Sequence, residues 1–424
     1  MRLGIDIGGT FTDFVLLDDA TGQVNTYKCL TTPRDPSDAI EAGIHGLANQ
    51  VPDYVGRLEE IIHGTTLVIN AIIERKGART GLITTQGFRD VLELGREIRY
   101  APYDVFAEFP EPLVPRHRRL EVDERLRADG SVLRPLDESE ARERVRSLAD
   151  MGVESIAVCL LNSFENPAHE LALKRIIGEE FPSASVSISY EVLPQIREYE
   201  RTSTTVTNAY VKPRTEKYLR ALYNRLAALG FRGRLFIMLS SGGVTSAETA
   251  AEFPVRIIES GPTAAVIAGQ YYSRLFNLPE MFCFDMGGTT AKSCLIQGGV
   301  AGVVPTFEVG RDRNAFDDRG AGTPTQGPQV HVDGLGYAAR AAFDPMGGPS
   351  HNRLRAQREA AAGADIGDVD RNHHRDAEDD AKEHQSALPR PTDQVSQGEH
   401  EQRSAHALAR LRVVPAPPCT NRPS

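Results

Sequence analysis

The sequence predicts a mixed α/β protein built from two related blocks, and three observations predict it. Apolar strands alternate with helical stretches over residues 1 to about 300. A strand ending in Asp and running into Gly-Gly-Thr occurs twice, as Asp6-Ile7-Gly8-Gly9-Thr10 and as Asp285-Met286-Gly287-Gly288-Thr289. From about Gly310 the alternation stops and bulky apolar residues thin out.

Taken in order, residues 2–6, 13–17 and 24–29 read as three strands separated by Gly8-Gly9 and Ala20-Thr21-Gly22, a meander opening an α/β domain. Asp35-Pro36-Ser37 starts a helical pattern reaching about Gln50. The short apolar pair Ile61-Ile62 leads into His63-Gly64-Thr65-Thr66 and a helical stretch ending at Lys76-Gly77. Residues 80–84 form a strand, and Asp137 with Glu140 reads as a capping box for a helix to Met151. Residues 155–161 form a buried-type strand, and Asn166-Pro167 caps a helix ending near Phe181. Two helical stretches flank Lys212-Pro213, because proline removes a backbone donor from a helix interior. A strand over 235–239 then ends in Ser240-Ser241-Gly242-Gly243, a helix follows Gly261-Pro262, and a strand over 282–285 enters the second Gly-Gly turn.

Length and composition set limits. A chain of 424 residues has room for two or three domains, each with its own core. The formal net charge of −10 argues against a nucleic-acid partner, which needs positive surface. The five cysteines (Cys29, Cys159, Cys283, Cys294, Cys419) are scattered without zinc spacing and read as reduced thiols. No apolar stretch approaches the length of a membrane span and no signal-like segment follows Met1, so a cytoplasmic protein is expected. Beyond residue 310, roughly one residue in eight is a bulky aliphatic or Phe, too few for an ordinary core. That tail reads as either a disordered segment or an out-of-frame translation, and the latter is favoured. Its histidines (His331, His351, His373, His374, His384, His400, His406) lack the spacing of a metal site.

The repeated motif carries the chemistry. Two glycines allow consecutive N–H groups to converge on an anion, and neighbouring threonines add hydroxyl donors. One such turn is more often a plain hairpin, but two matched copies suit two related domains gripping the phosphates of a nucleotide from both sides. Asp6 and Asp285, at the strand ends, are placed to hold Mg²⁺ through water. Gly8, Gly9, Thr10 and Thr12 from the first loop, with Gly287, Gly288, Thr289 and Thr290 from the second, are the candidate phosphate ligands. Asp13 reads either as a second carboxylate orienting water or metal, or as an ordinary strand start. Gly261, in Ser260-Gly261-Pro262, either offers N–H groups to the nucleotide or simply opens a helix. His63 reads as a donor or base near a substrate carbonyl, or as a structural histidine. Lys292 reads as charge near the phosphates or as a surface lysine. Ser240-Ser241-Gly242-Gly243 lacks the spacing of a nucleophilic serine and reads as a loop lining the cleft.

Gly4-Ile5-Asp6-Ile7-Gly8-Gly9-Thr10-Phe11-Thr12-Asp13 resembles the opening of the hydantoinase A/5-oxoprolinase family. His63-Gly64-Thr65-Thr66 with Asn70, the run Arg201-Thr202-Ser203-Thr204-Thr205-Val206-Thr207-Asn208-Ala209-Tyr210, Ser240-Ser241-Gly242-Gly243, Glu259-Ser260-Gly261-Pro262 and the segment around Asp285 to Lys292 resemble that family in the same order. The resemblance implies an actin/Hsp70/sugar-kinase-like (ribonuclease H-like) fold with duplicated domains. It divides the chain into an N-terminal domain over 1–197, an incomplete nucleotide-binding domain over 198–310 and a tail over 311–424. It also implies ATP and Mg²⁺, a cyclic amide or imide of the hydantoin or 5-oxoproline type as substrate, and a hydantoinase B-type partner subunit. Two other readings share these motifs: the ATP-using subunit of an acetone carboxylase-type enzyme, and an inactive remnant whose second domain is unfinished. A sugar kinase fits less well, because the segments at His63 and at Arg201 speak against it.

Overall fold

The computed structural model describes residues 1–32, 35–96, 111–286, 291–308, 329–337 and 340–341. All of them fall in one compact unit, Met1–Pro349; the second unit, Ser350–Ser424, lies outside the described residues. Pairing begins with the expected meander, β1 (Arg2–Ile7), β2 (Phe11–Leu17) and β3 (Val24–Leu30), all antiparallel. Helix α1 (Pro36–Ala48) follows, capped by the Asp35 carboxylate, which accepts from the Ser37 N–H. Next come β4 (Glu60–Thr65), α2 (Leu67–Ile73), β5 (Thr80–Thr85) and α3 (Val91–Leu94). Strands β6 (Arg119–Val122), β7 (Arg125–Leu126) and β8 (Val132–Arg134) precede α4 (Glu138–Asp150), β9 (Ser155–Cys159), α5 (Ala168–Glu180), β10 (Ser185–Ile188) and α6 (Ser189–Val192). The long helix α7 (Glu198–Ala228) follows. It leads to β11 (Arg234–Met238), β12 (Val244–Ser246), α8 (Ala247–Glu252), α9 (Ser260–Leu275), β13 (Met281–Met286), β14 (Ala291–Gln297) and β15 (Val300–Ala301). Strands β16 (Val303–Glu308), β17 (Gln329–Tyr337) and β18 (Arg340–Ala341) come last.

The first sheet has the order β12-β11-β4-β1-β2-β3, with β4 parallel to β1 and β11 parallel to β4. Period-two alternation on β1 and β2 sends Leu3, Ile5, Ile7, Phe14 and Leu16 into one core with Ile40, Ile44 and Leu47 of α1. Helix α1 lies so close that a Cβ at Gly43 would sit 2.0 Å from the Phe14 ring, so only glycine fits there. The second sheet, β10-β9-β5-β6, is wholly parallel. Its central strands are buried along their whole length, as expected for a sheet covered on both faces. Leu82, Ala157 and Cys159 join the first core, while Ile83, Ile156 and Val158 pack under α4 and α5.

Several expectations need correcting. The stretches flanking Lys212-Pro213 are one helix, with Pro213 inside α7. Burial of α7 against both sheets outweighs the missing donor, and the Ala78 N–H donates to the Tyr210 carbonyl from outside the helix in that region. The Arg201 to Tyr210 run on its buried face is structural: Arg201 donates to Ser163 Oγ and the Leu160 carbonyl, and Asn208 donates to Ser187 Oγ. Strand β4 continues through His63-Gly64-Thr65, where the sequence suggests a loop. The capping box at Asp137 is half-formed: Asp137 accepts from the Ser139 and Glu140 N–H groups, but the Glu140 carboxylate turns to the Asp123 N–H. Strands β17 and β18 lie beyond Gly310, where the sequence shows no strand period. Among the described residues no helix is long and apolar enough to cross a membrane.

Candidate functional site

The site is built on the ends of two hairpins. In the first, the Gly8 N–H donates to the Phe11 carbonyl at 2.9 Å and closes the turn. A Cβ on Gly8 would come 3.1 Å from that oxygen, so the glycine serves a close backbone approach. Gly9 and Thr10 sit exposed at the tip. Asp6 lies directly opposite Asp13 on β2 and beside Gly64 on β4. In the second hairpin, Asp285 lies directly opposite Lys292 on β14. The expected ligands Gly287, Gly288, Thr289 and Thr290 lie outside the described residues.

Counting from the aspartates, the two hairpins share one register: Asp285 corresponds to Asp6, and Lys292 to Asp13. The duplication legible in the sequence is therefore a duplication of strand pairing, with the acid of one copy exchanged for a base in the other.

Helix α9 joins the two. Cβ atoms added at Gly64 and Gly261 would lie 3.0 and 3.1 Å from Asp6 Oδ1, so the Asp6 carboxylate rests between the end of β4 and the first turn of α9. Ser260 fixes that contact by accepting from the Thr65 N–H at 3.0 Å and donating to the Thr65 carbonyl at 2.9 Å. Just before the helix, buried Glu259 pairs with buried Lys292. A small cleft between α9 and the second hairpin is lined by Pro262, Val266, Cys283, Asp285 and Lys292. Both aspartates thus flank the positive end of a 16-residue helix.

The electrostatics agree with this crowding. Asp6 is open to solvent along part of its side chain, yet the protein packed around it pushes its pKa up to about 6. Asp285 and Asp13 add to the rise, and Lys292 and Lys28 oppose it. Burial likewise raises Glu259, with the Lys292 ammonium pulling the other way. Asp13 forms an ion pair with Lys28 at 2.9 Å on the exposed face.

Other expected site residues are placed elsewhere. Thr12, one residue from Asp13, points to the opposite face, where its hydroxyl meets Thr31 Oγ1 at 2.9 Å; Thr31 in turn donates to the Gly8 carbonyl. It braces the turn from beneath. His63 pairs with Ile5, not with Asp6, so strand alternation sends it into the core beneath Tyr218. Its Nδ1 faces the Ile5 carbonyl at 3.3 Å, which can only accept, so Nδ1 carries the proton and Nε2 accepts from the Tyr218 hydroxyl at 2.8 Å. Burial pushes its pKa down to about 4, and neither nitrogen is free to act on a substrate. Lys292 is buried and paired, which removes its reading as a surface lysine. Ser240 is buried as well: its hydroxyl accepts from the Glu259 N–H and its carbonyl accepts from Thr263, so it anchors the start of α9. Two contributors are missed by sequence reasoning, Gly64 and Glu259; the Glu before Ser260-Gly261-Pro262 is the available signal.

The donor set suits a hydrated divalent cation. Asp285 lining the cleft, with Asp6 at the first turn of α9 beside glycines that leave room around it, matches the sparse protein ligation that Mg²⁺ takes when phosphates and waters complete its shell. Among the described residues no three His, Cys, Asp or Glu side chains gather as a metal cage.

Residues 2–181 match the family model described as hydantoinase/oxoprolinase N-terminal region, and residues 201–351 match that described as hydantoinase/oxoprolinase, past the Gly310 limit read from the sequence. The caprolactamase alpha subunit of Pseudomonas jessenii is 36% identical over 304 residues, covering 70% of this chain and 44% of that one. A crystal structure of the ATP-dependent caprolactamase from that organism superposes with a TM-score of 0.64 at 35% identity, covering 70% of this chain and 43% of that chain. The acetophenone carboxylase gamma subunit of Aromatoleum aromaticum is 36% identical over 311 residues, covering 69% of this chain and 42% of that one. A nucleotide-free acetone carboxylase structure superposes with a TM-score of 0.67 at 27% identity over 78% of this chain and 47% of the other. The chain spans about half the length of the relatives it matches.

Proposed function

Since the chain belongs to the hydantoinase/oxoprolinase family, we propose that it is the ATP-using subunit of an enzyme that opens a cyclic amide or imide of the hydantoin or 5-oxoproline type. The observation that carries this reading is the pair of equivalent hairpins, whose aspartates flank the N-terminus of α9. An amide carbonyl resists water because the nitrogen lone pair stabilises it. ATP with Mg²⁺ supplies a phosphoryl group that turns the carbonyl oxygen into a leaving group.

In this reading Asp6 and Asp285 hold the hydrated Mg²⁺, and the tip residues Gly8, Gly9 and Thr10 with the first turn of α9 at Gly261 receive phosphate oxygens. The residues Gly287, Gly288, Thr289 and Thr290, which repeat the first motif in sequence, are assigned to the same phosphates. Asp13, across from Asp6, adds negative charge that raises the Asp6 pKa, and its pairing with Lys28 limits that effect. Thr12 and His63 support the strand ends from the core side. The Glu259–Lys292 pair ties the second hairpin to α9 and so fixes the spacing of the two aspartates. A hydantoinase B-type subunit completes the enzyme, with the ATP supply placing it in the cytoplasm.

The test is Mg²⁺-dependent ATP hydrolysis by the protein co-expressed with a B-type subunit, measured with hydantoin, 5-oxoproline or caprolactam. Stimulation by a cyclic amide, lost in Asp6→Ala and Asp285→Ala, is the expected result. Stimulation only by a ketone with bicarbonate favours the carboxylase-type reading, for which the match to acetone carboxylase is the supporting observation. Nucleotide binding without turnover under every condition marks an inactive remnant.

A further inference from the structure

The cysteines scattered along the sequence do not stay scattered in the fold. Cys283 on β13 lies directly opposite Cys294 on β14, and the next rung on the same face is Asp285 opposite Lys292. All four residues line the cleft beside α9. Residues directly opposite on antiparallel strands have Cα atoms about 4.5 or 5.5 Å apart and Cβ atoms about 4.5–5.5 Å apart. A disulfide takes Cα separations of about 4.4–6.8 Å and Cβ separations of about 3.5–4.5 Å. Register alone therefore brings the two sulfurs within reach of a bond, at the cost of side-chain rotation and a Cβ approach of about 1 Å or less. Both thiols are free as the chain stands. Cys294 is packed with Val266 and Ile296, while the half-buried Cys283 seats its Sγ against α9 at Gly269, where an added Cβ would overlap it. The other described cysteines are on separate strands: Cys29 on β3 faces the Ala39 carbonyl, and Cys159 on β9 is buried against Thr202.

We propose that Cys283 and Cys294 form a redox site, closing to a cross-strand disulfide when the chain meets a low-molecular-weight disulfide such as oxidised glutathione. The Cys283 thiolate attacks one sulfur of that reagent, breaks its S–S bond and expels one glutathione thiolate. The Cys294 thiolate then attacks Cys283 Sγ, breaks the mixed disulfide and expels the second. Both protein protons end on glutathione, so two protein thiols are oxidised and one external disulfide is reduced. Cys283 attacks first because it is the less buried of the two. Burial raises both thiols above their ordinary value, with the charge of Cys283 adding to the rise at Cys294, so the pair stays reduced until oxidant persists. Closure ties β13 to β14 one rung from Asp285 and Lys292 and holds that rung in register. Its effect on Mg²⁺ rests on the function proposed above; closure itself does not.

The test uses the full 424-residue chain, reduced, freed of reductant and then incubated with oxidised glutathione under native conditions. Intact mass should show the loss of two hydrogens with no glutathione retained, and unreduced peptide mapping should join Cys283 to Cys294. Amide hydrogen exchange at Asp285 and Lys292 should slow about tenfold on closure and recover with dithiothreitol, with β1, β4 and β9 unchanged. Cys294→Ser should instead trap glutathione on Cys283, since the resolving thiol is gone. Three results overturn the proposal: glutathione trapped on Cys283 while Cys294 is present, disulfides that join other cysteines or two chains, or five thiols still titrating after prolonged oxidation. The last would leave the two cysteines as core residues alone. Because the first readout is on the parent protein, a variant that fails to fold leaves the outcome intact.

Discussion

Replacing Lys292 by Met tests whether the second hairpin is held to α9 by charge. The side chains of Lys292 and Glu259 are 6 and 9% exposed, so losing the lysine strands a carboxylate in a site already unfavourable to its ionised form. The penalty has a ceiling, because Glu259 can take up a proton instead. Protonating a carboxyl of ordinary pKa, about 4.3, at pH 7 spans about 2.7 units at about 1.4 kcal/mol each, which caps the loss near 4 kcal/mol. At pH 5.5 the same reasoning gives about 2 kcal/mol. The sign follows from proton counting: in the variant the native state binds a proton that the unfolded chain releases, so stability falls as pH rises above the unfolded value. Urea unfolding of both proteins at pH 7 and 5.5 measures it. Glu259→Gln combined with Lys292→Met should recover most of the loss, since the stranded charge is gone. A loss below about 1 kcal/mol at both pH values, with no rescue in the double variant, would show that the pair holds nothing in place.

The same geometry sets the outcome of other perturbations. With the Asp6 pKa near 6, Mg²⁺–ATP affinity measured by calorimetry should fall about tenfold per pH unit below that value, and Asp6→Asn should bind weakly with a flat profile. Because the folded pKa of Asp6 lies above its unfolded one, ionisation costs stability above the unfolded value, so Asp6→Asn should unfold at higher urea than the parent at pH 7. Gly261→Ala puts a Cβ 3.1 Å from Asp6 Oδ1 and should weaken Mg²⁺–ATP binding more than it changes the urea midpoint. Tyr218→Phe leaves buried His63 Nε2 without its donor and should cost about 1–3 kcal/mol of stability, with nucleotide affinity unchanged.

Much of this is legible in the sequence, for reasons that differ by residue. The meander, the Asp35 cap and the first Gly8-Gly9 turn are readable because each is decided by neighbours a few residues away. Pro213 misleads because a local rule is overruled by burial of α7 between two sheets, which no window of sequence records. His63 and Thr12 mislead differently. Both sit in motifs next to functional residues, and in a strand adjacency in sequence means opposite faces, so being beside Gly64 or Asp13 is what sends them away from the cleft. Reading β4 through His63 and starting β2 at Phe11 would sort them, and the apolar Ile61-Ile62 start alone does not reveal that β4 continues.

The exchange of Asp13 for Lys292 at equivalent positions shows what the duplication does beyond repetition. Two identical acidic hairpins facing one helix would gather four carboxylates, Asp6 among them, and their mutual repulsion would push its proton affinity well beyond that of a group meant to bind cations at neutral pH. Putting a lysine in the second copy removes one acid and supplies a counter-charge that lowers the Asp6 pKa. Burying that lysine against Glu259 keeps its ammonium out of competition for the cation while spending its charge on the spacing between hairpin and helix. If Asp6 and Asp285 hold Mg²⁺ as proposed, the asymmetry between otherwise equivalent strands is what gives the repeated fold a cation-holding side, and Lys292 is the residue on which that division turns.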